Sequence, residues 1–339
     1  MASPAELQPL LQLTQRIGSD PLLTQASTGN TSAKLDGVLW IKASGRWMAD
    51  AMRDDVHIGL DLGDVVTKCL RQGVDPAERY PSASLETAMH AALPHRVVLH
   101  VHCVNTIAWA VRSDAPIQLQ SRLEGLRWRW VPYVASGLPL ALELERVLSA
   151  WPETNVFVLG NHGLVIGGED ASAVEHLLNE VTKRLAIPPR WARPADYAVL
   201  LELSTNSPWD LPDDDEVHAL GTDRVAQANL SGGLLYPCQA IFSDSRTPDL
   251  FHPIPLDDLG DQWQARYRDR PFLIIEGRGV VVSRSLASAE LAMISGLARV
   301  VQRLGDSAPL RYLTEAELAG ISDQVAHRYR KLANDYGGR

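Results

Sequence analysis

Two histidines one residue apart, His100 and His102, lie in the apolar run VVLHVHCVNTIAWAV between Val97 and Val111. On a β-strand alternate side chains share a face, so both imidazoles project to one side while Val101 and Cys103 point away. Two imidazoles on a hydrophobic strand cost desolvation free energy unless something accepts their nitrogens. A divalent metal would do so; chance or core hydrogen bonding is the plainer alternative. A third histidine, His162, sits in Gly160-Asn161-His162-Gly163 between the β-rich runs NVFVLGN and GLVIGG. The adjacent glycine leaves the backbone unobstructed, so a ligand can come close; taken alone, the residue reads as a turn histidine. Three imidazoles from two strands make a facial set that leaves metal positions open, as catalytic zinc sites require.

Glu86, in PSASLETAMHAALP, stands at the first turn of a helix. The helix dipole favours an acid there by a few tenths to about 1 kcal/mol, which is the bland explanation. The functional one is a general acid/base beside the metal. His90, one turn later, shares its face and reads as a structural residue rather than a ligand. Asn30 and Ser32 in GNTS, and Ser44 and Gly45 in KASG, offer short donors and amides in turns, equipment for cradling an anion or a polyol.

These residues need elements to position them. An amphipathic helix is expected over 5–17, a hairpin within STGNTSAKLDGVLWIKAS, and helices over 62–72, 84–93 and 138–150. The strand VVLHVHC, the pair NVFVLGN and GLVIGG, and the helix AVEHLLNEVTKRL complete the first half. Tight strand–turn–strand units interleaved with helices predict an α/β fold with a mixed, mainly antiparallel sheet rather than a doubly wound one. RWRWV at 127–131 reads as an edge or interface strand. Proline, serine and acidic residues mark 191–215 as a linker, with YAVLLEL inside it able to form one helical turn or two, between a catalytic domain, 1–190, and a smaller α/β domain without a metal site, 216–339. In that second half LIIEGRGVVVSRSLASAELAMISGLARVVQRL parallels FVLGNHGLVIGGEDASAVEHLLNEVTKRL, with Arg278 where the first copy has His162. This is either a degenerate repeat or two β-β-α units alike because they share physics. The stretch before it, LLYPCQAIF, is expected to be a strand and holds no histidine pair.

The 339 residues carry a formal charge of −9, with no basic patch to recruit nucleic acid. No apolar run reaches membrane-spanning length, and MASPAELQPLLQL lacks the layout of a signal peptide, so neither membrane nor export is expected. Cys69, Cys103 and Cys238 are scattered without CxxC spacing, which fits a reducing cytoplasm. No GxGxxG follows a strand, so a fused dehydrogenase is not indicated.

The motif series GNTS, IKASG, PSASLETAMH, HVHCVNTIAWA and GNHGLVIGG, across residues 10–186, resembles the class II aldolase/adducin family, which includes fuculose-phosphate and rhamnulose-phosphate aldolases. The second half resembles the extension of some longer members. The resemblance implies an α/β/α domain and a zinc ion (or Mn2+, Co2+ or Fe2+) held by His100, His102 and His162, with Glu86 as the catalytic carboxylate. It also implies substrate- or phosphate-binding loops at Asn30, Ser44, Gly45 and Ser84, with Ser82 a neighbouring candidate. The implied activity is an aldehyde-lyase reaction on a small sugar, sugar phosphate or keto acid through a metal-stabilised enediolate, in a homo-oligomer (tetramer or dimer). A decarboxylase or epimerase would use the same site; an adducin-like scaffold would lack the metal histidines. One departure stands out: many phosphosugar aldolases have two serines before the glutamate, whereas here Ser84 is followed by Leu85. Tyr133 and Tyr236 are the tyrosines available for the role that some members give to a tyrosine of a C-terminal segment or a neighbouring subunit.

Overall fold

A computed structural model describes residues 4–242, 249–321 and 323–336. They divide into two compact units, one of residues 1–186 with 331–339, the other of residues 187–330.

The first unit is built on a seven-stranded sheet. Its strands are β1 (Asn30–Leu35), β2 (Val38–Lys42), β3 (His57–Asp61), β4 (Val97–Val101), β5 (Trp128–Val131), β6 (Val156–Leu159) and β7 (Gly163–Gly168). They lie in the order β3-β2-β1-β4-β7-β6-β5. All neighbours are antiparallel except β5 and β6, so the sheet is mixed and mainly antiparallel, and RWRWV forms its edge. Asp36 and Gly37 both take positive φ, 48° and 77°, which matches the twist of the β1–β2 hairpin. β4 lies at the centre with every residue buried, which is why it reads as a continuous apolar run.

One face of the sheet is covered by the helices Thr87–Ala92 and Leu138–Ala150. Met89, Leu140 and Leu144 of these helices pack with Val98, Phe157 and Val165 of the strands. Burying each such side chain contributes about 1.5–3 kcal/mol. The helices Gln8–Gly18 and Ala171–Arg184 are joined by an Arg16–Glu175 ion pair at 2.7 Å. Asp170 caps the second of these by accepting from the Ala173 amide.

Two local expectations change. The segment 62–72 makes one α-turn, Leu62–Val65, and continues as a π-helix, Val66–Arg71; no single contact explains the widening. The histidine strand ends at Val101, so His102 lies in the turn into the helix Val104–Ala110.

The second unit holds a three-stranded antiparallel sheet, β8 (Trp209–Asp210), β9 (Phe272–Ile275) and β10 (Gly279–Ser283), in the order β8-β10-β9. The segment 191–215 carries the helix Tyr197–Ser204 as well as β8. LLYPCQAIF forms a helix, Pro237–Phe242, where a strand was expected. Proline suits a first helical position, and a short apolar run does not distinguish the two states. β9, β10 and the helix Ser288–Val301 reproduce the order of β6, β7 and the helix Ala171–Arg184. No helix among the described residues is long and apolar enough to cross a membrane.

Candidate metal centre

His100 projects from the middle of the sheet, opposite Asn30 of β1 and Val165 of β7. His102 enters from the turn after β4. His162 comes from the β6–β7 turn, where Asn161 takes the left-handed conformation, φ 51°, that asparagine tolerates better than most residues. A Cβ at Gly163 would stand 2.6 Å from the Val101 carbonyl and 3.4 Å from both the His100 and His102 rings. Glycine therefore lets the turn bring its histidine against β4.

The three rings converge. Their centroids are 4.8–5.1 Å apart, and one ligand nitrogen from each lies within 4.8 Å of the others. All three are buried. His100 Nδ1 lies 3.1 Å from the Leu164 carbonyl, so that nitrogen is assigned the proton it donates there and Nε2 keeps its lone pair for the centre. Burial first, and the neighbouring imidazoles second, hold His102 and His162 well below the usual histidine range, so both rings are neutral. The Nε2 atoms of His100 and His102 are 3.1 Å apart, close to the separation of about 3.3 Å expected for two nitrogens on one tetrahedral zinc. Neutral rings at His102 and His162, converging with His100 through nitrogens that face one another, fit a divalent ion.

Glu86 completes the cluster. Its Oε1 lies 3.4 Å from His100 Nε2 and 3.5 Å from His162 Nε2, and its Oε2 accepts from Asn30 Nδ2 at 2.5 Å. Ser84 Oγ accepts from the Glu86 amide at 3.2 Å, which sets the carboxylate at the entrance of the helix. The structure thus brings Asn30, Ser84 and Glu86 to the histidines. It turns Ser32 inward, where its hydroxyl pairs with His90 Nδ1 at 2.7 Å, and His90 is a buried structural residue. Ser44 donates its amide to the Ser82 carbonyl, Ser82 itself is exposed, and Gly45 (φ 76°) lies directly under Leu332. Tyr133 follows β5 in this unit, whereas Tyr236 is buried in the second.

One residue near the site escapes a search for catalytic types. Lys42, at the end of β2, is 2% exposed, and its ammonium donates to the carbonyls of Ser27 at 2.9 Å, Arg46 at 2.8 Å and Ala43 at 3.4 Å. It therefore ties the segment before GNTS to the segment after KASG. Burial lowers its pKa to about 7, partly offset by the charge of Glu86. The available signal was a lysine two residues after Trp40, on the buried face of an apolar strand. Behind it a chain of polar groups is fixed in direction. Thr14 donates to the Leu10 carbonyl, so Thr31 donates to Thr14, and His57 Nε2 donates to Thr31.

Comparison with known proteins concentrates on this unit. The sequence pattern of the Class II Aldolase and Adducin N-terminal domain matches residues 9–187. A Bacillus subtilis (strain 168) protein described as uncharacterized oxidoreductase YuxG is 29% identical over 187 residues, covering 49% of this chain and 27% of that protein. The chain thus spans about a quarter of that relative's length. The N-terminal class II aldolase domain of a conserved Thermoplasma acidophilum protein is similar at 23% identity, covering 55% of this chain and 94% of its own, with a TM-score of 0.46. The l-fuculose-1-phosphate aldolase of Thermus thermophilus is similar at 19% identity, covering 54% and 92%, with a TM-score of 0.40.

Proposed function

The chain belongs to the class II aldolase and adducin family, and from that membership we propose that it is a zinc-dependent aldehyde-lyase. It would make or break a carbon–carbon bond beside the carbonyl of a small sugar, sugar phosphate or keto acid. The observation that carries this reading is the convergence of three buried imidazoles, His100, His102 and His162, with the Glu86 carboxylate 3.4–3.5 Å from two of them. Those histidines would hold the ion. When bound, a divalent ion supplies Lewis-acid stabilisation of the charge that develops on the carbonyl and its neighbouring hydroxyl.

The remaining work falls to the chain's own groups. Asn30 fixes one oxygen of Glu86 and leaves the other facing the imidazoles. In the cleavage direction the hydroxyl on the departing carbon gives its proton to water and becomes the aldehyde carbonyl as the carbon–carbon bond breaks. The bonding pair stays on the carbon next to the ketone, and a protonated Glu86 gives that carbon its proton and is recharged from water; synthesis runs the same transfers in reverse. Because the carboxylate is anchored at both its amide and its side chain, the proton-transfer geometry is set before substrate arrives. We assign this chemistry to residues 1–190 and no metal to 216–339, and we take the protein to be a cytoplasmic homo-oligomer.

The test is aldehyde release from a panel of free and phosphorylated ketoses and keto acids by the zinc-loaded protein. Release that disappears in Glu86→Gln while zinc stays bound supports the reading. Carbon dioxide without aldehyde would transfer the site to a decarboxylase, and a purified chain without metal or turnover would favour the adducin-like scaffold.

A further inference from the structure

Resting on the metal-binding reading above, we infer that Gln25, in the loop ahead of GNTS, is a positioning residue for the centre: its side-chain amide holds the main chain of His102 in place. His100 sits inside a strand paired on both sides, whereas His102 lies past the last paired residues of β4 toward either neighbour. The sheet's hydrogen bonds therefore do not set where the His102 ring comes to rest. Gln25 reaches it from outside the sheet. The residue is 5% exposed, and its Nε2 donates to the His102 carbonyl at 3.0 Å and to the Pro21 carbonyl at 3.4 Å. Both neighbours are acceptors, so the nitrogen end of the amide is the end that faces them.

The loop is built to hold that amide still. Ala26 takes φ 51°, a left-handed conformation that alanine adopts only at a cost, which marks a turn imposed by its surroundings. Inside the turn the Thr28 hydroxyl donates to the Gln25 carbonyl at 2.6 Å and accepts from the Gln25 main-chain N–H at 3.3 Å. Lys42 pins the turn by donating to the Ser27 carbonyl at 2.9 Å, and the Val104 amide, two residues beyond His102, donates to the Leu22 carbonyl at 2.8 Å. The same loop reaches two further members of the centre. A Cβ on Gly29 would stand 2.7 Å from the His100 carbonyl, and the Asn30 amide donates to Glu86. One loop thus sets two histidines and the carboxylate in register with one another, and Gln25 is its side-chain link to a histidine. Losing a hydrogen bond that orients a ligand typically costs a metal site about 10- to 100-fold in affinity.

Cobalt titrated into the full chain, read by its visible absorption spectrum and by competition with a chelator, tests this in Gln25→Met, which keeps the side-chain length without the donor. Thr24→Val is the comparison, since the Thr24 hydroxyl donates into the helix Gln8–Gly18, to the Ile17 carbonyl at 3.3 Å. Gln25→Met is expected to bind cobalt about 10- to 100-fold more weakly and with an altered spectrum, while Thr24→Val keeps the wild-type affinity and spectrum. Wild-type affinity and spectrum in a folded Gln25→Met would overturn the inference and leave the metal centre standing, and a matching loss in Thr24→Val would also overturn it. A wild-type chain that binds no cobalt would overturn the metal reading and this inference with it. Should Gln25→Met fail to fold, Gln25→Glu takes its place, because an ionised carboxylate of the same shape cannot donate. The same weakening there supports the inference, and unchanged binding overturns it.

Discussion

β6, β7 and the helix that follows them have a counterpart, element for element, in β9, β10 and the helix Ser288–Val301. In the first hairpin the turn holds Asn161 at φ 51° and delivers a buried His162, and the outer neighbour of β7 is β4, which brings His100. In the second the turn holds Gly277 at φ 68°, and the Arg278 side chain, 42% exposed, pairs with Asp196. The outer neighbour of β10 is the two-residue β8, Trp209–Asp210, which carries no ligand. The imidazole beside this hairpin, His218, spends its Nδ1 on the Val280 amide at 3.2 Å and stands edge-on to the Tyr197 ring. The same β-β-α scaffold becomes a candidate site only where a third strand adds histidines to it. Function here is grafted on the fold rather than dictated by it.

Breaking the first hairpin's chemistry should have the largest effect. Glu86→Gln is expected to lower turnover by at least about 100-fold with zinc retained, measured as steady-state rate beside metal content. His162→Ala should leave a folded chain that no longer retains zinc through gel filtration, since removing one of three ligands leaves too few for a stable ion. Lys42→Met leaves up to three buried carbonyls unpaired and should cost about 1–3 kcal/mol in denaturant unfolding.

Acid supplies a gentler probe. Burial, then the charge of Lys42, lowers the His57 pKa to about 3, whereas in the unfolded chain it titrates near 6.5. Between those values the unfolded chain binds the extra proton, so His57 contributes a loss of stability as pH falls through that window. In His57→Gln the fall in melting temperature between about pH 6.5 and pH 5 should be shallower. The smallest effect belongs to the second hairpin. Arg278→Ala removes an exposed ion pair worth about 0–1 kcal/mol and should leave metal content and turnover unchanged. A loss of zinc there would erase the contrast between the two hairpins.

Much of this was legible in the chain. The Asp36-Gly37 turn before the β-rich run VLWIKAS specified the β1–β2 hairpin, and the HxH spacing with Gly160-Asn161-His162-Gly163 singled out the three imidazoles the structure brings together. Less legible were features that depend on which way a short polar group turns. Ser32 looks like any turn serine, yet β1 buries it against His90. Lys42 carries no motif, and its role follows from the Ser27 carbonyl, 15 residues away, meeting the nearby Ala43 and Arg46 carbonyls around one ammonium. Pro237–Phe242 folded as a helix because an apolar run of that length has no decisive period. In the segment 191–215 the apolar YAVLLEL marked the helix, whereas β8 was hidden because Trp209, between Pro208 and Asp210, shows its place in the second unit's core only in the fold.

Metal analysis of the purified protein, wild type beside His162→Ala, tests the centre most directly. About one equivalent of a divalent ion per wild-type chain, absent from the variant, is the result these imidazoles predict. A correctly folded wild-type chain that takes up no zinc when it is offered would contradict the whole account.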